Sequence, residues 1–289
     1  MQIGIGLPNP VPGVEGRTLV AWARRAEDRG FSSLATIDRV AYPSYESLIS
    51  LAGAAAVTER IGLITNVLLA PTRQPILLAK EAASVDQLSA GRLTLGLAVG
   101  GRKDDYEATD NAFSERGKSF DEDLELMHKA WKGNPVIANC EQPVTPSPAN
   151  GTNVPILFGG NSDATIERII TYGIGWTAGG GAAEMVGPFA ERVRAAWKDS
   201  GKAGDPKIVA LQYFSLGDEV VEASKNYILD YYGFLGDRAL GFAEHGVHRS
   251  PGAIKDVIQK FTDAGVDEFI LDPTVADLEQ IDRLADVVS

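Results

Sequence analysis

The residues best suited to chemistry are glycines and hydroxyls at the ends of apolar runs. The run 155–159 reads as a strand, and Gly159-Gly160-Asn161-Ser162-Asp163-Ala164-Thr165 follows it into a helix. A helix N-terminus offers unpaired N–H groups and the positive end of the helix dipole. Gly160, Asn161, Ser162 and Thr165 are therefore a candidate phosphate cradle. Ser162 and Thr165 stand three apart, so both hydroxyls fall near the first turn. Plain N-capping by Asn161 or Ser162 is the simpler reading, and the two are compatible. After the next strand, 174–178, Gly179-Gly180-Gly181 opens another helix and forms a second candidate anion cradle. One glycine-rich loop is weak evidence; two after consecutive strands of one barrel would face the same rim.

Three other strand ends carry polar groups. Thr65-Asn66-Val67 closes the run 61–68, a conflict with core packing of the kind that marks functional positions, or a turn in which Asn66 bonds its own backbone. Gly100-Gly101-Arg102 follows the run 93–99. Paired glycines admit a ligand close to the backbone and Arg102 could meet an anion; a flexible turn with an exposed arginine is the plainer reading. Asp38-Arg39 follows 33–37, and Asp38 is either a carboxylate for substrate, cofactor or proton relay, or half of a loop ion pair. There is no G-x-S-x-G elbow. The single cysteine, Cys140, rules out an internal disulfide framework or a cysteine metal cluster. His245 and His248 lack the carboxylate pattern of a metal site and read as a surface pair. Anion cradles with few acid–base residues suit a bound cofactor that carries the chemistry itself. The residues alone thus imply a phosphate-bearing ligand and say nothing of hydride transfer.

These strand ends can converge only if the elements make a common rim. Strand-like runs at 3–7, 33–37, 61–68, 93–99, 155–159, 174–178, 207–216 and 266–271 alternate with helical patterns. Eight strand–helix units in 289 residues predict one (β/α)8 TIM barrel spanning 1–289. Such a barrel has its active site at the C-terminal ends of the strands. A doubly wound sheet fits less well, because no G-x-G-x-x-G follows the first strand. The stretch 133–154, with four prolines, reads as a short irregular insertion after the fourth helix. A net charge of −12 argues against nucleic-acid or anionic-membrane partners. No apolar run approaches a bilayer span and the N-terminus lacks a basic signal start, so a cytoplasmic protein is expected.

Four segments resemble the bacterial-luciferase-like superfamily of flavin- and deazaflavin-dependent oxidoreductases. They are Ala26-Glu27-Asp28-Arg29-Gly30-Phe31 through Leu34 with Asp38; Arg60-Ile61-Gly62-Leu63 through Pro71-Thr72-Arg73-Gln74-Pro75; Asp86-Gln87-Leu88-Ser89-Ala90-Gly91-Arg92 with Leu95-Gly96; and Pro155 through Gly160 with Tyr172 through Trp176. The third, D-x-L-S-x-G-R, is the most diagnostic. The resemblance implies a TIM barrel that binds FMN or coenzyme F420 at the strand C-termini. It places a non-proline cis peptide at Asn66-Val67, phosphate-binding hydroxyls at Ser162 and Thr165, the neighbouring loop at Gly179 to Gly181, and a pocket carboxylate at Asp38. Arg39 stands where many members have histidine, and Asn161 where the luciferases have glutamate. The shortness of 133–154 implies a small lid over an open pocket.

Two activities follow from that resemblance: monooxygenation of a small organic substrate with reduced FMN and O2, or hydride transfer by F420 in a reductase or dehydrogenase. A non-catalytic flavin-binding barrel is the reading from outside enzymology. The expected partners are the small-molecule substrate, a separate flavin reductase and, by analogy with relatives, a second copy of the chain in a homodimer.

Overall fold

The computed structural model describes residues 1–138 and 141–288; Cys140 lies outside them. Nine parallel strands form one sheet: β1 (Gln2–Gly6), β2 (Ser33–Thr36), β3 (Gly62–Leu69), β4 (Leu93–Ala98), β5 (Ile156–Gly159), β6 (Gly175–Thr177), β7 (Lys207–Phe214), β8 (Val247–His248) and β9 (Glu268–Pro273). The order β6-β5-β4-β3-β2-β1-β9-β7 closes through β6–β7 into an eight-stranded barrel. The two-residue β8 pairs only with the end of β7, through Tyr213↔Val247 and Phe214↔His248. The expected eighth strand is therefore the ninth in the chain but the eighth of the barrel.

Strand alternation sorts the core into two layers. Ala35, Ile64, Leu157, Val209 and Ile270 fill the barrel interior, while Leu34, Leu63, Leu95, Phe158 and Phe269 face the surrounding helices. With both faces buried, the strands read as nearly continuous apolar runs. Each helix turns its apolar stripe to the sheet; helix Gly16–Asp28 buries Leu19, Trp22, Ala23 and Ala26. Gly30, at φ +81°, ends that helix, and the Phe31 N–H reaches back to the Ala26 carbonyl at 3.2 Å. That is the glycine-terminated helix end expected there.

The most diagnostic motif builds the pole opposite the strand C-termini. Arg92 donates to the Ile61 carbonyl at 2.7 Å and the Thr58 carbonyl at 2.9 Å, tying the start of β4 to the entry of β3. Asp86 accepts from the Ala149 N–H at 2.7 Å, and Gln87 donates to the Ser147 carbonyl. These bonds hold residues 147–149 at the N-terminal pole, which corrects the expectation of a lid built from this excursion. A connection from a helix to the start of the next strand emerges at the strand N-termini and cannot cover a site at the other end. The cover comes instead from the long connection after β7, helices Val221–Tyr231 and Asp237–His245. A five-residue helix that the sequence pattern did not show, Lys103–Glu107, follows β4.

His128 supplies a stability test. It is stacked on Tyr172 with centroids 4.8 Å apart, and its Nε2 is buried without a partner. Burial, helped by Lys132, pushes its pKa down to about 4. Between the ordinary value near 6.5 and this one, the unfolded chain binds a proton that the folded chain excludes. The stabilisation is therefore complete above about pH 6.5 and is lost as pH falls towards 4. Replacing His128 by Phe should remove roughly 1–3 kcal/mol of that acid sensitivity. Asp123, pushed up to about 6 by burial, acts in the opposite sense, but it is common to both proteins and cancels in the comparison. Urea unfolding of both at pH 7.5 and 4.5 checks this; equal losses on acidification would refute it.

Candidate functional site at the C-terminal rim

The predicted residues do share one rim. Asn66 and Val67 lie in the second half of β3, Gly100 to Arg102 follow β4, Gly160 to Thr165 follow β5, and Gly179 to Gly181 follow β6. Asn66, Val67, Gly101, Arg102, Gly179 and Gly180 line a single cleft of about 200 Å³, and Asp38 and Arg39 also reach it. Gly100, Gly160, Asn161, Ser162, Thr165 and Gly181 are not part of its lining. The cleft also takes Tyr213 from β7 and Tyr231 and Tyr232 from the helix after it, which the sequence reading left unassigned. Their one signal was local: adjacent tyrosines with Phe234 shortly after.

The β3 edge of the cleft is irregular. The Asn66–Val67 peptide is cis, and the register between β3 and β4 shifts between Thr65 and Leu68. Asn66 Oδ1 accepts from Thr177 Oγ1 of β6 at 2.6 Å, a bond across the barrel mouth. Asn66 Nδ2 is buried with no partner among the described residues. A buried amide donor left unpaired costs about 1–3 kcal/mol, so this atom is suited to receive a ligand acceptor.

Asp38 is fully engaged. It accepts from both Arg73 terminal nitrogens (2.8 and 2.9 Å), from the Leu69 N–H (2.9 Å) and from Ser47 Oγ (3.1 Å), and its side chain is 1% exposed. Burial works against the Arg73 charge, but Asp38 and Glu46 outweigh it and hold the guanidinium pKa above its ordinary value. Arg39 is similarly committed, to Asp105 at 2.7 Å and Asp104 at 2.6 Å. Asp105, wholly buried, also accepts from the Val40 and Ala41 N–H groups at 2.8 Å. The helix after β4 thus fixes the loop after β2.

The β5 end forms a hydroxyl-lined turn. Ser162 caps helix Asp163–Tyr172, accepting from the Thr165 N–H at 3.3 Å, and its hydroxyl lies 3.1 Å from Thr165 Oγ1. Gly160 has φ +107°, in the glycine region, and a Cβ there would sit 2.9 Å from Thr165 Oγ1. A side chain at residue 160 would therefore crowd the Thr165 hydroxyl. The Gly179–Gly181 loop is pinned from β7: the Leu211 N–H donates to the Gly179 carbonyl at 3.0 Å and Gln212 Nε2 to the Gly181 carbonyl at 2.9 Å.

Fold and rim define a TIM barrel with its candidate site at the C-terminal face. The chain belongs to the luciferase-like monooxygenase family, which it matches over residues 1–289. It is similar to an uncharacterised protein of Mycobacterium tuberculosis, with 29% identity over 224 residues, 67% of this chain and 77% of that one. Among solved structures it resembles monooxygenase RslO1 of Streptomyces bottropensis (TM-score 0.79, 22% identity, 99% and 97% of the two chains). It also resembles the coenzyme F420-dependent tetrahydromethanopterin reductase of Methanopyrus kandleri (TM-score 0.77, 19% identity, 99% and 98%). At these identities the structural likeness establishes the fold. The family and these structural neighbours are oxidoreductases.

Replacing Asp38 by Asn would leave the Arg73 charge buried without its carboxylate. The expected loss is about 2–4 kcal/mol of folding stability, read from the urea midpoint at pH 7.5. An unchanged midpoint would show that the pair does not hold the β2 and β3 ends together.

Proposed function

We propose that this chain is a flavin-dependent oxidoreductase that oxidises a small organic substrate with reduced FMN and O2, the cofactor being held on the C-terminal rim. The observation that carries the reading is the convergence of an unpaired buried donor, Asn66 Nδ2, with backbone-lined glycines and a hydroxyl-lined helix start on one rim. These features fit a phosphorylated ring system. Asn66, Val67, Gly179 and Gly180 would hold the ring. Gly160, Ser162 and Thr165 would hold the phosphate, through hydroxyls and the N–H groups of the first helical turn. Reduced flavin supplies electrons to O2 for insertion of oxygen into the substrate. Asp38 acts as a positioning residue: its four bonds are all internal, so its effect on a ligand passes through the end of β3. A separate flavin reductase would supply the reduced cofactor.

One observation favours a second reading, hydride transfer with coenzyme F420. The cleft wall carries the charged groups of Arg39, Arg102 and Asp105, and residues 147–149 of the excursion lie at the opposite pole. Oxygen chemistry gains more from excluding water than hydride transfer does. Absorbance titration with FMN and F420, followed by oxygen uptake with reduced FMN and hydride-transfer assays with reduced F420, separates the two. Binding of neither cofactor at micromolar concentration would sink both and leave a non-catalytic barrel.

The phosphate assignment has its own test. The double variant S162A/T165A should weaken cofactor binding about ten- to a hundredfold, as expected for lost hydrogen bonds to a charged group. Loss of the Ser162 cap costs about 1 kcal/mol of stability, which the barrel should survive. Unchanged affinity in a protein with native circular dichroism would refute the assignment.

A further inference from the structure

Arg102 differs from the other cations on the cleft wall. Arg73 is held by Asp38 and Glu46, and Arg39 by Asp104 and Asp105. Arg102 makes no ion pair and no hydrogen bond among the described residues; burial, the largest influence, and the Arg39 charge lower its pKa and outweigh the opposing effects of Tyr231, Tyr232 and Asp104. Its guanidinium carbon lies 4.0 Å from the ring centroid of Phe234 and 4.6 Å from that of Tyr231. Both rings come from the connection after β7, three strands round the barrel from the β4 end that carries Arg102.

That arrangement constrains the charge without using its hydrogen-bonding capacity. Cation–π contacts engage the faces of a guanidinium. Its N–H donors lie in the plane, in a fork that matches a carboxylate. Two rings with centroids within 4.6 Å of the guanidinium carbon confine Arg102, and its donors have no hydrogen-bond partner among the described residues where it lines the cleft. Tyr231 is 5% exposed and cannot readily shift, and Tyr232 beside it donates to or accepts from the Tyr213 hydroxyl at 2.9 Å. In a chain of net charge −12, Arg102 is a half-buried cation whose nearby carboxylate, Asp104, is bonded to Arg39 instead, an arrangement that an anionic ligand would complete.

We propose that Arg102, oriented by Tyr231 and Phe234, is the recognition site for an anionic group on the substrate, so that the substrate class is small organic acids. This rests on the reading that the cofactor phosphate is held at Gly160–Thr165: Arg102 touches none of those residues and faces the β7 wall instead. Because a cofactor also carries anionic groups, the same fork could be claimed by either ligand, and the experiment separates the two sources.

The probes are benzoate and hexanoate against benzamide and hexanamide, titrated calorimetrically into the cofactor-loaded protein at low salt. Wild type should bind at least one acid ten- to a hundredfold more tightly than its amide, and 0.5 M NaCl should reduce the difference. R102M should bind acid and amide alike while its affinity for FMN and F420 stays within threefold of wild type. R102K, with charge but no planar fork, should retain part of the preference. Equal or absent binding of acids and amides by wild type overturns the proposal, as does an acid preference that survives in R102M. A loss of more than tenfold in cofactor affinity by R102M would assign the fork to the cofactor and equally overturn it. Failure of the wild type to bind either cofactor is a different result: it refutes the functional reading above, while the acid–amide comparison on the unloaded protein still decides whether Arg102 selects anions.

Discussion

Asp38 joins segments far apart in the chain into one corner of the rim. It lies just after β2 and accepts from the backbone N–H of Leu69, the last residue of β3, and from Arg73 in the turn that follows. The edge of β3 facing the cleft is where the ladder to β4 slips and the Asn66–Val67 peptide is cis. A strand with an interrupted ladder needs other anchors. Asp38 provides one on the β2 side, and Thr177, bonded to Asn66 from β6, provides another across the mouth. Burying a charge at such a corner is costly unless it is fully paired, and here every oxygen of the carboxylate has a donor. The shape of the cleft depends on this corner, because these two anchors hold the stretch of β3 where its ladder to β4 slips.

The barrel divides its labour between poles. At the strand N-termini, Arg92 ties the entries to β3 and β4, and Glu27 accepts from the N–H groups of Arg60 and Ile61. Inside the barrel at that end, Glu268 is paired with Lys207 at 2.6 Å and receives the hydroxyls of Ser32 and Ser33. Much of the sequence by which the family is recognised, D-x-L-S-x-G-R above all, belongs to this frame. Its resemblance therefore speaks for the fold and only indirectly for the chemistry. The opposite pole carries the variable groups: the aromatic wall after β7, the arginines after β2 and β4, and the small residues after β5 and β6. Frame and site are physically separate, so the wall can change without disturbing the barrel ladder.

The electrostatics of the rim follow the same separation. A strongly acidic protein repels anions over most of its surface, yet its rim presents helix starts and the Arg102 guanidinium, which has no hydrogen-bond partner among the described residues. Backbone dipoles and a desolvated cation act over a few ångströms, where the distant surface charge is screened. The charge balance of the whole chain is therefore compatible with a small anion bound locally.

The sequence by itself determined the barrel, because each strand must be apolar on both faces and each helix on one, and those periods survive in the residue order. It also determined which strand ends were candidates, since glycines and hydroxyls following a parallel strand can only lie on the C-terminal rim. Pairing across long separations was not legible. That Asp38 would meet Arg73 and Leu69, and that Arg39 would be taken by Asp104 and Asp105, depends on how strands and loops 31 to 66 residues apart are set beside one another. That Tyr231 and Phe234 would approach Arg102 depends on closure of the barrel, which sets residues more than a hundred apart in sequence side by side. The 133–154 excursion shows the same limit: its prolines marked it as irregular, but only the direction of the chain through the folded barrel put it at the pole away from the site.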